Sequence, residues 1–291
     1  MSNIETSTQM LPGDVVPGAR YQDGAATSVL NTRPGASKFS TTEVRPDYMF
    51  EAKTSGTVKF TKEFDEPPAM AVGLSCLDLA GDANIRVNAY ADDITRDSAT
   101  MAENDPDFQV GKFSTTDDHP WNHPQEKTSS RINFARPYKS SPTVIVWLSL
   151  LDMDKRNNWR VHTTASDISP NGFTIHIDTW GDSILYTATA HWIAYLGDKE
   201  GVASGSYKAS DIRPWNRPMT NNSGRVEFPV NMFQNPPTVL TALNRLDIDC
   251  NRGLRVKLGT KGVSAQSMDW DIEGWHDTIL YDAGASYIAF S

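Results

Sequence analysis

Short runs of apolar and β-branched residues, separated by turn-forming residues, recur through this chain. In its middle part, runs of strand length lie at 131–138, 143–151, 159–166, 173–180 and 185–196. Residues 174–180 alternate apolar and polar side chains, as expected of a strand with one face in a core. Segments rich in Ser, Pro, Asn, Asp, Gly and Lys separate the runs and favour turns. Together with a further run before them, they predict about six short antiparallel strands and no helix.

The same order of features appears three times along the 291 residues. Residues 143–161 resemble 238–256, residues 111–124 resemble 205–218, and 37–48 with 69–87 form a fainter earlier copy. Each copy places an aspartate shortly before an arginine, in the pairs Asp78 and Arg86, Asp152 and Arg160, and Asp247 and Arg255. Internal repetition of this kind is typical of tandem structural units. We therefore predict an N-terminal arm at 1–36 and three repeats at 37–110, 111–204 and 205–291.

The first copy is shorter than the other two and lacks their closing segment. Residues 21–31, "YQDGAATSVLN", loosely echo the last residues, 281–291, "YDAGASYIAFS". Our hypothesis is that the N-terminal arm supplies the strand that the first repeat has lost. Outside that strand, the polar arm is rich in Pro and Gly and is typical of a tail.

Composition and charge exclude several classes of protein. The net charge of −9 argues against nucleic acid or an anionic membrane as a partner. No apolar window is long enough to insert into a membrane as a helix. The N-terminus has no apolar signal segment, so we expect a cytoplasmic or non-classically secreted protein. Two distant cysteines, Cys76 and Cys250, are too few for a disulfide framework or a zinc site.

The second and third copies both close with a Trp-x-Asp-Ser/Thr-Ile-Leu-Tyr phrase, at 180–186 and 275–281. Before it come a Phe-containing strand with a Pro turn, a Leu-Asp pair and "NWRV" or "GLRV". This ordered set resembles the H-type lectin family, of the snail-agglutinin and discoidin C-terminal kind. The resemblance implies an all-β fold of six-stranded antiparallel β-sandwiches, assembled as a trimer. It also implies binding of galactose or N-acetylgalactosamine in a cleft between neighbouring domains.

Three copies in one chain suggest that this trimer is fused into an intrachain pseudo-trimer; a homo-oligomer of chains is the alternative. The resemblance also assigns roles to single residues. The sugar-gripping arginine corresponds to Arg160, Arg255 and Arg86, and the aromatic with its follower to Trp180–Gly181 and Trp275–His276. An acidic loop residue of the family corresponds to Asn122 and Asn216. The chain departs from the family in these two asparagines, and in Gly181, which lacks the side chain that His276 retains.

The same residues suit a sugar on physical grounds. An indole stacks on the C–H face of a galacto-configured ring, and a guanidinium donates to its hydroxyls. Such a site contributes about 1 kcal/mol by stacking and about 1.5–3 kcal/mol per charge-assisted hydrogen bond, before desolvation. The resulting affinity is roughly millimolar, which repetition of the site converts into useful avidity. Asp182 and Asp277, one beside each tryptophan, and the loop residues Trp121 and Trp215 complete the candidate set.

Each of these residues also has a purely structural interpretation. Trp180 and Trp275 are core aromatics in that interpretation, and the arginines only pair with the aspartates of their own copies. Trp121 and Trp215 then anchor a loop instead of touching a ligand.

The sequence favours a binding protein over an enzyme. The histidines show no metal-ligand spacing, and neither a phosphate-binding loop nor a nucleophile elbow is present. One acid recurs beside each tryptophan, whereas a glycosidase needs two. We therefore predict a lectin without a cofactor, whose partners are glycans. The alternative is a coat or fibre protein in which the β repeats only build a rigid stack.

Overall fold

The computed structural model describes residues 21–22, 25–29, 35–49, 51–59, 67, 69–95 and 107–291. Throughout these residues the regular structure is β-strand, with three short 3-10 turns at Thr41–Glu43, Thr115–Asp117 and Ala209–Asp211. All strand pairs are antiparallel, so the predicted all-β antiparallel class is confirmed. Within this part of the chain, none of the structure is a helix able to span a membrane.

The second repeat is a sandwich of two small sheets. Its strands are β7 (Phe108–Ser114), β8 (Lys127–Asn133), β9 (Thr143–Met153), β10 (Trp159–Ser169), β11 (Gly172–Asp178) and β12 (Leu185–Tyr195). One sheet contains β9, β12 and β7, and the other contains β10, β11 and β8. Between them, Phe134, Phe173 and Trp192 pack edge to face or tilted, with ring centroids 5.4–6.0 Å apart. The six predicted strands are thus present, with the aromatic side chains on their inner faces.

The third repeat has the same design. Its strands are β13 (Val202–Lys208), β14 (Asn221–Glu227), β15 (Thr238–Ile248), β16 (Leu254–Lys261), β17 (Ser267–Glu273) and β18 (Leu280–Phe290). Strands β15, β18 and β13 form one sheet, and β16, β17 and β14 form the other. Tyr207 and Trp270 stack between them at 4.7 Å. The tandem sandwiches predicted from the repeats are therefore confirmed.

The first repeat is built differently, because one strand of its sheet comes from the N-terminal segment that precedes it in the chain. Its strands are β1 (Tyr21–Gln22), β2 (Ala25–Val29), β3 (Gly35–Phe39), β4 (Ala71–Gly73), β5 (Cys76–Leu79) and β6 (Ile85–Asn88). Strand β2 lies between β3 and β4, and β1 pairs with β5. Ala26 lies opposite Gly73, as Ser286 in β18 lies opposite the corresponding Ala242. The N-terminal segment therefore pairs in the register that the closing strand has in the third repeat.

Pairing between repeats links the sandwiches into a ring. The arginine-bearing strand of each repeat pairs with the Leu-Asp strand of the next: β6 with β9, β10 with β15, and β16 with β5. The last of these pairs connects the third repeat to the first and closes the cycle. This is the topology expected of an intrachain pseudo-trimer.

A separate apolar core lies where the three repeats meet. Equivalent residues of the repeats, Ala71, Ile145 and Leu240, are all buried in it. The Trp147 indole donates to the Val72 carbonyl (3.1 Å), and the Ser286 hydroxyl donates to the Val146 carbonyl (2.7 Å). Because these bonds join different repeats, the ring is held by both apolar burial and satisfied polar groups.

Both cysteines are free thiols and belong to different repeats. Cys250 is buried just after β15, and Cys76 is partly buried at the start of β5.

Candidate functional site

The junction of the second and third repeats holds Arg160 between two carboxylates. Arg160 lies on β10, directly opposite Asp247 on β15, and its Nε is 3.3 Å from Asp247 Oδ1. Its Nη1 donates to Asp182 Oδ1 at 2.6 Å and to the Ser183 hydroxyl at 3.3 Å. Its Nη2 makes no hydrogen bond to the described residues. The guanidinium is thus fixed on two sides and keeps one nitrogen for another acceptor.

The same geometry recurs at the junction of the third and first repeats. Arg255 Nε is 2.9 Å from Asp78 Oδ1, and Nη1 donates to Asp277 Oδ1 at 2.6 Å. The guanidinium lies against Gly253, where a Cβ atom would come within 2.0 Å of Nη1. Gly253 is therefore required for the arginine to lie flat against the chain.

The junction of the first and second repeats contains the third arginine, Arg86. Arg86 Nε is 3.3 Å from Asp152 Oδ1, and its side chain is 37% exposed. The sequence that follows Arg86 in the first repeat contains no Trp phrase.

The contacts of the three arginines show that the predicted pairing of each arginine with the aspartate of its own copy is wrong. Each of them pairs with the aspartate of the next repeat, not with that of its own copy. The reason is the strand order, which sets each arginine strand beside the Leu-Asp strand of the neighbouring repeat. The arginines therefore do have a structural role, but it is to join repeats.

Neighbouring charge favours the ionised form of the outer carboxylates, Asp182 and Asp277. Burial disfavours the ionised form of the inner carboxylate Asp247. The hydrogen bond from Arg160 lowers the pKa of Asp182. Partial burial opposes a similar lowering of the pKa of Asp277, but the His276 hydrogen bond and Arg255 outweigh it. Burial raises the pKa of Asp247 against the opposing effect of Arg160. The outer carboxylates are therefore firmly ionised acceptors at the rim of each junction.

Trp180 lies at the rim of the junction between the second and third repeats. It follows β11, is partly exposed and belongs to neither buried core. The guanidinium carbon of Arg245, on β15 of the third repeat, lies 4.7 Å from the centroid of its ring. Arg245 Nε in turn donates to Asp282 Oδ2 at 2.8 Å. The indole is therefore not a core residue, and one of its faces is covered by a cation from the next repeat.

Trp275 is the equivalent residue of the third repeat and is also partly exposed. Each tryptophan carbonyl begins a tight turn, accepting from Ser183 N at 3.4 Å and from Thr278 N at 3.3 Å respectively. The turns require a left-handed backbone at the following residue, where Gly181 has φ 70° and His276 has φ 58°. The difference between these two residues now has a physical explanation: glycine adopts this conformation freely, whereas histidine is strained in it.

The loop tryptophans pack on tyrosines. Trp215 lies edge-on to Tyr281 at 6.4 Å, and the Tyr281 hydroxyl donates to Asp249 Oδ2 at 3.1 Å. Burial and the hydrogen bond to Asp249 raise the pKa of Tyr281, and Arg160 opposes them.

The second repeat has the same arrangement at its own loop. Trp121 lies edge-on to Tyr186 at 6.3 Å, and the Tyr186 hydroxyl donates to Asp154 Oδ2 at 2.6 Å. Both loop tryptophans remain well exposed, at 41% for Trp121 and 62% for Trp215.

A buried side chain holds each of these loops in place. In the third repeat it is Arg213, which donates to the carbonyls of Leu280 and Tyr281 at 2.9 Å each. In the second repeat His119 contacts the Thr128 hydroxyl at 3.0 Å. Since these residues anchor the loops, Trp121 and Trp215 need not do so, and both are exposed enough to contact a ligand.

The remaining sequence candidates are Asn122 and Asn216. Both are exposed in the turns that follow the loop prolines, and the structure describes no contact between either of them and the arginine clusters. The described residues contain no cluster of His, Cys, Asp and Glu able to hold a metal.

The sequence alone missed Arg245, Tyr186 and Tyr281. Arg245 stands where the other repeats have Leu150 and Cys76, so a search for recurring residues passes over it. The signal that could have revealed it is a break in the repeat. Asp282 stands where the second repeat has Thr187. Asp282 and Arg245 are thus two opposite charges that the second repeat does not have at these positions.

Two comparisons with known proteins bear on the family of this chain. The sequence profile described as "H-type lectin domain" matches residues 55–105, 129–195 and 223–290, which together exceed half of the chain. A 63-residue stretch, 22% of this chain, is 40% identical to "ATP synthase subunits region ORF 7" of Fuscovulum blasticum. That stretch spans 55% of the relative's own length. By its three domain matches, the chain belongs to the H-type lectin family.

Proposed function

We propose that this protein is a lectin for glycans ending in galactose or N-acetylgalactosamine. The observation that carries the proposal is the Arg160 guanidinium, held between Asp247 and Asp182 at the edge of a junction that also presents Trp180. Arg255, with Asp78 and Asp277 beside Trp275, is the same arrangement in a second place.

The chemistry of each site suits a neutral sugar. Two carboxylates orient the guanidinium, so a hydroxyl that accepts from Nη2 binds a side chain that is already ordered. The outer carboxylate, Asp182 or Asp277, can accept from a neighbouring hydroxyl of the same sugar. The partly exposed indole offers a surface for the C–H face of the ring. Each site is expected to bind a monosaccharide at roughly millimolar affinity.

Two sites of this kind per chain suggest that avidity supplies the working affinity. A glycan with two reachable ends gains about a hundredfold or more when both bind. The junction of the first and second repeats, with Arg86 but no Trp phrase, is proposed to make little contribution.

The test is a glycan array that compares the intact protein with a Trp180→Ala/Trp275→Ala double variant. We expect binding to terminal galactose or N-acetylgalactosamine glycans, and a signal from the folded double variant that is weaker by about tenfold or more. The matched control is Trp121→Ala/Trp215→Ala, which removes exposed indoles from the loops.

Three other results have distinct meanings. Loss of binding in the control pair alone would move the sites to the loops. Binding that survives in both variants would move the sites elsewhere on the lectin. Binding by none of the proteins would leave the coat or fibre interpretation.

A further inference from the structure

Arg245 is the residue that distinguishes the junction of the second and third repeats from the other two. Its guanidinium carbon lies 4.7 Å from the ring centroid of Trp180, which belongs to the preceding repeat. The corresponding residues are Leu150 in the second repeat and Cys76 in the first, and neither is a cation. At the junction that contains Trp275, the position equivalent to Arg245 is therefore occupied by Cys76.

A buried carboxylate, that of Asp282, fixes the position of Arg245. Its Nε donates to Asp282 Oδ2 at 2.8 Å, and the Asp282 side chain is only 3% exposed. The two oxygens of Asp282 also accept from the Ser210 amide and the Ser210 hydroxyl, at 2.9 Å each. The guanidinium thus rests on a buried and fully engaged carboxylate, and it is not free to leave the indole.

A cation fixed on one face of an indole has two consequences for a ligand. The cation holds the indole ring in one orientation, so that ligand binding does not lose free energy by ordering the ring. It also occupies one face, which leaves a single face of Trp180 for the sugar.

We propose that Arg245 is a positioning residue for the Trp180 wall and makes the junction of the second and third repeats the tighter of the two Trp-containing sites. This inference rests on the proposed lectin function and adds to it a ranking of the sites. The residue acts through Trp180 from the neighbouring repeat, so the site is complete only when the two repeats are paired.

The experiment isolates this junction by working in a Trp275→Ala background. Titration calorimetry with methyl α-N-acetylgalactosaminide compares that protein with versions that also carry Arg245→Lys or Arg245→Leu. Lysine keeps the charge beside Asp282 but loses the planar guanidinium, and leucine is the residue of the second repeat. Arg225→Lys is the matched control, because Arg225 also pairs with an aspartate, Asp269 at 2.8 Å, but between strands β14 and β17 of the third repeat.

We expect about a tenfold loss of affinity in both Arg245 variants and none in the Arg225 control. The thermal midpoint of Arg245→Lys should stay close to that of its parent, which separates positioning from stability. In the NMR spectrum, the ring current of Trp180 should shift the Arg245 side-chain protons upfield, and Trp180→Ala should abolish this shift.

The contrary outcomes are distinguishable. Unchanged affinity in Arg245→Lys and Arg245→Leu would overturn the inference and leave the lectin proposal standing. The inference is also overturned if Trp275→Ala alone removes all binding that the intact protein shows, because the second and third repeats would then form no site. If the intact protein binds neither the probe nor any arrayed glycan, both proposals fail together.

Discussion

At the scale of the residue, His276 is held in a conformation that its side chain disfavours. Its φ of 58° places a non-glycine residue in the left-handed region, and the equivalent Gly181 shows that the turn forms without any side chain. The His276 ring is 71% exposed and its Nδ1 is 3.1 Å from Asp277 Oδ1. Strain without compensating burial often accompanies binding, so the imidazole is a candidate sugar contact.

Replacing His276 with glycine is expected to separate binding from stability. His276→Gly should leave the free energy of unfolding within about 1 kcal/mol of the parent, because relief of strain offsets the greater flexibility of glycine. Affinity for methyl α-N-acetylgalactosaminide at the Trp275 site should fall several-fold, as measured by calorimetry in a Trp180→Ala background. A larger loss of stability with unchanged affinity would show that His276 serves the turn alone.

Two partly buried histidines are expected to make the fold sensitive to acid. Burial lowers the pKa of His162 to about 4, with help from Arg245, and burial with help from Lys112 lowers that of His191 to about 4. An unfolded chain binds these protons near pH 6.5, so stability is fully present above that pH and falls as the pH drops towards 4. For His191, which lies in β12 opposite Trp147, the loss should reach about 2 kcal/mol.

Urea unfolding between about pH 7.5 and pH 4.5 checks this dependence. His191→Gln should flatten it, because the variant has one fewer group to protonate on unfolding. A variant as acid-sensitive as the parent would show that other groups carry the effect.

At the scale of the element, β2 has an unusual origin. It precedes its repeat in the chain, yet it pairs on both sides, with β3 and with β4. A strand paired on both sides tolerates proline poorly, since the ladder loses a hydrogen bond.

Thr27→Pro in the middle of β2 is expected to destabilise the protein by about 3 kcal/mol. Thr27→Val, which keeps the backbone amide, is the control and should stay close to the parent in a thermal melt. An unaffected Thr27→Pro protein would disprove our proposal that the N-terminal arm completes the first repeat. Removal of residues 1–36 tests the same idea and should cost at least as much.

The strands of the second and third repeats were predictable because apolar alternation and turn residues mark them clearly. Pairing between repeats was not predictable, for a reason of symmetry. Each repeat carries its own aspartate and arginine, so the sequence cannot say whether Arg160 meets Asp152 or Asp247. Only the order of strands in space decides that, and it selects Asp247.

Of the candidate site, the recurring arginines and tryptophans were visible in the sequence, and Arg245 was not. It became visible only when β10 and β15 were seen to be neighbours, which places Arg245 beside the Trp phrase of another repeat. The boundaries of the repeats and the sugar itself stay predictions.

At the scale of the whole molecule, one chain contains the complete ring. The third repeat closes on the first through β16 and β5, with Arg255 opposite Asp78. The approach is close, since a Cβ on Gly81 would lie 2.1 Å from the Arg252 carbonyl oxygen. A larger residue at position 81 would therefore force the third repeat away from the first.

Because its ring is closed internally, the protein is expected to be a monomer of 32.2 kDa in solution. Sedimentation equilibrium over a range of concentrations measures this mass directly. A stable trimer of chains would contradict the idea that the three repeats replace three subunits.

The closing pair of strands also bears on how the protein is made. Strand β5 is synthesised early, but its partner β16 begins 175 positions after β5 ends and therefore leaves the ribosome much later. Until β16 is made, β5 cannot form this strand pair, and the apolar core where the three repeats meet cannot be completed. Contacts between residues so distant in sequence form slowly, so folding intermediates with exposed apolar surface persist for longer. The ring closure within one chain therefore makes the newly made first repeat dependent on strands that emerge long after it.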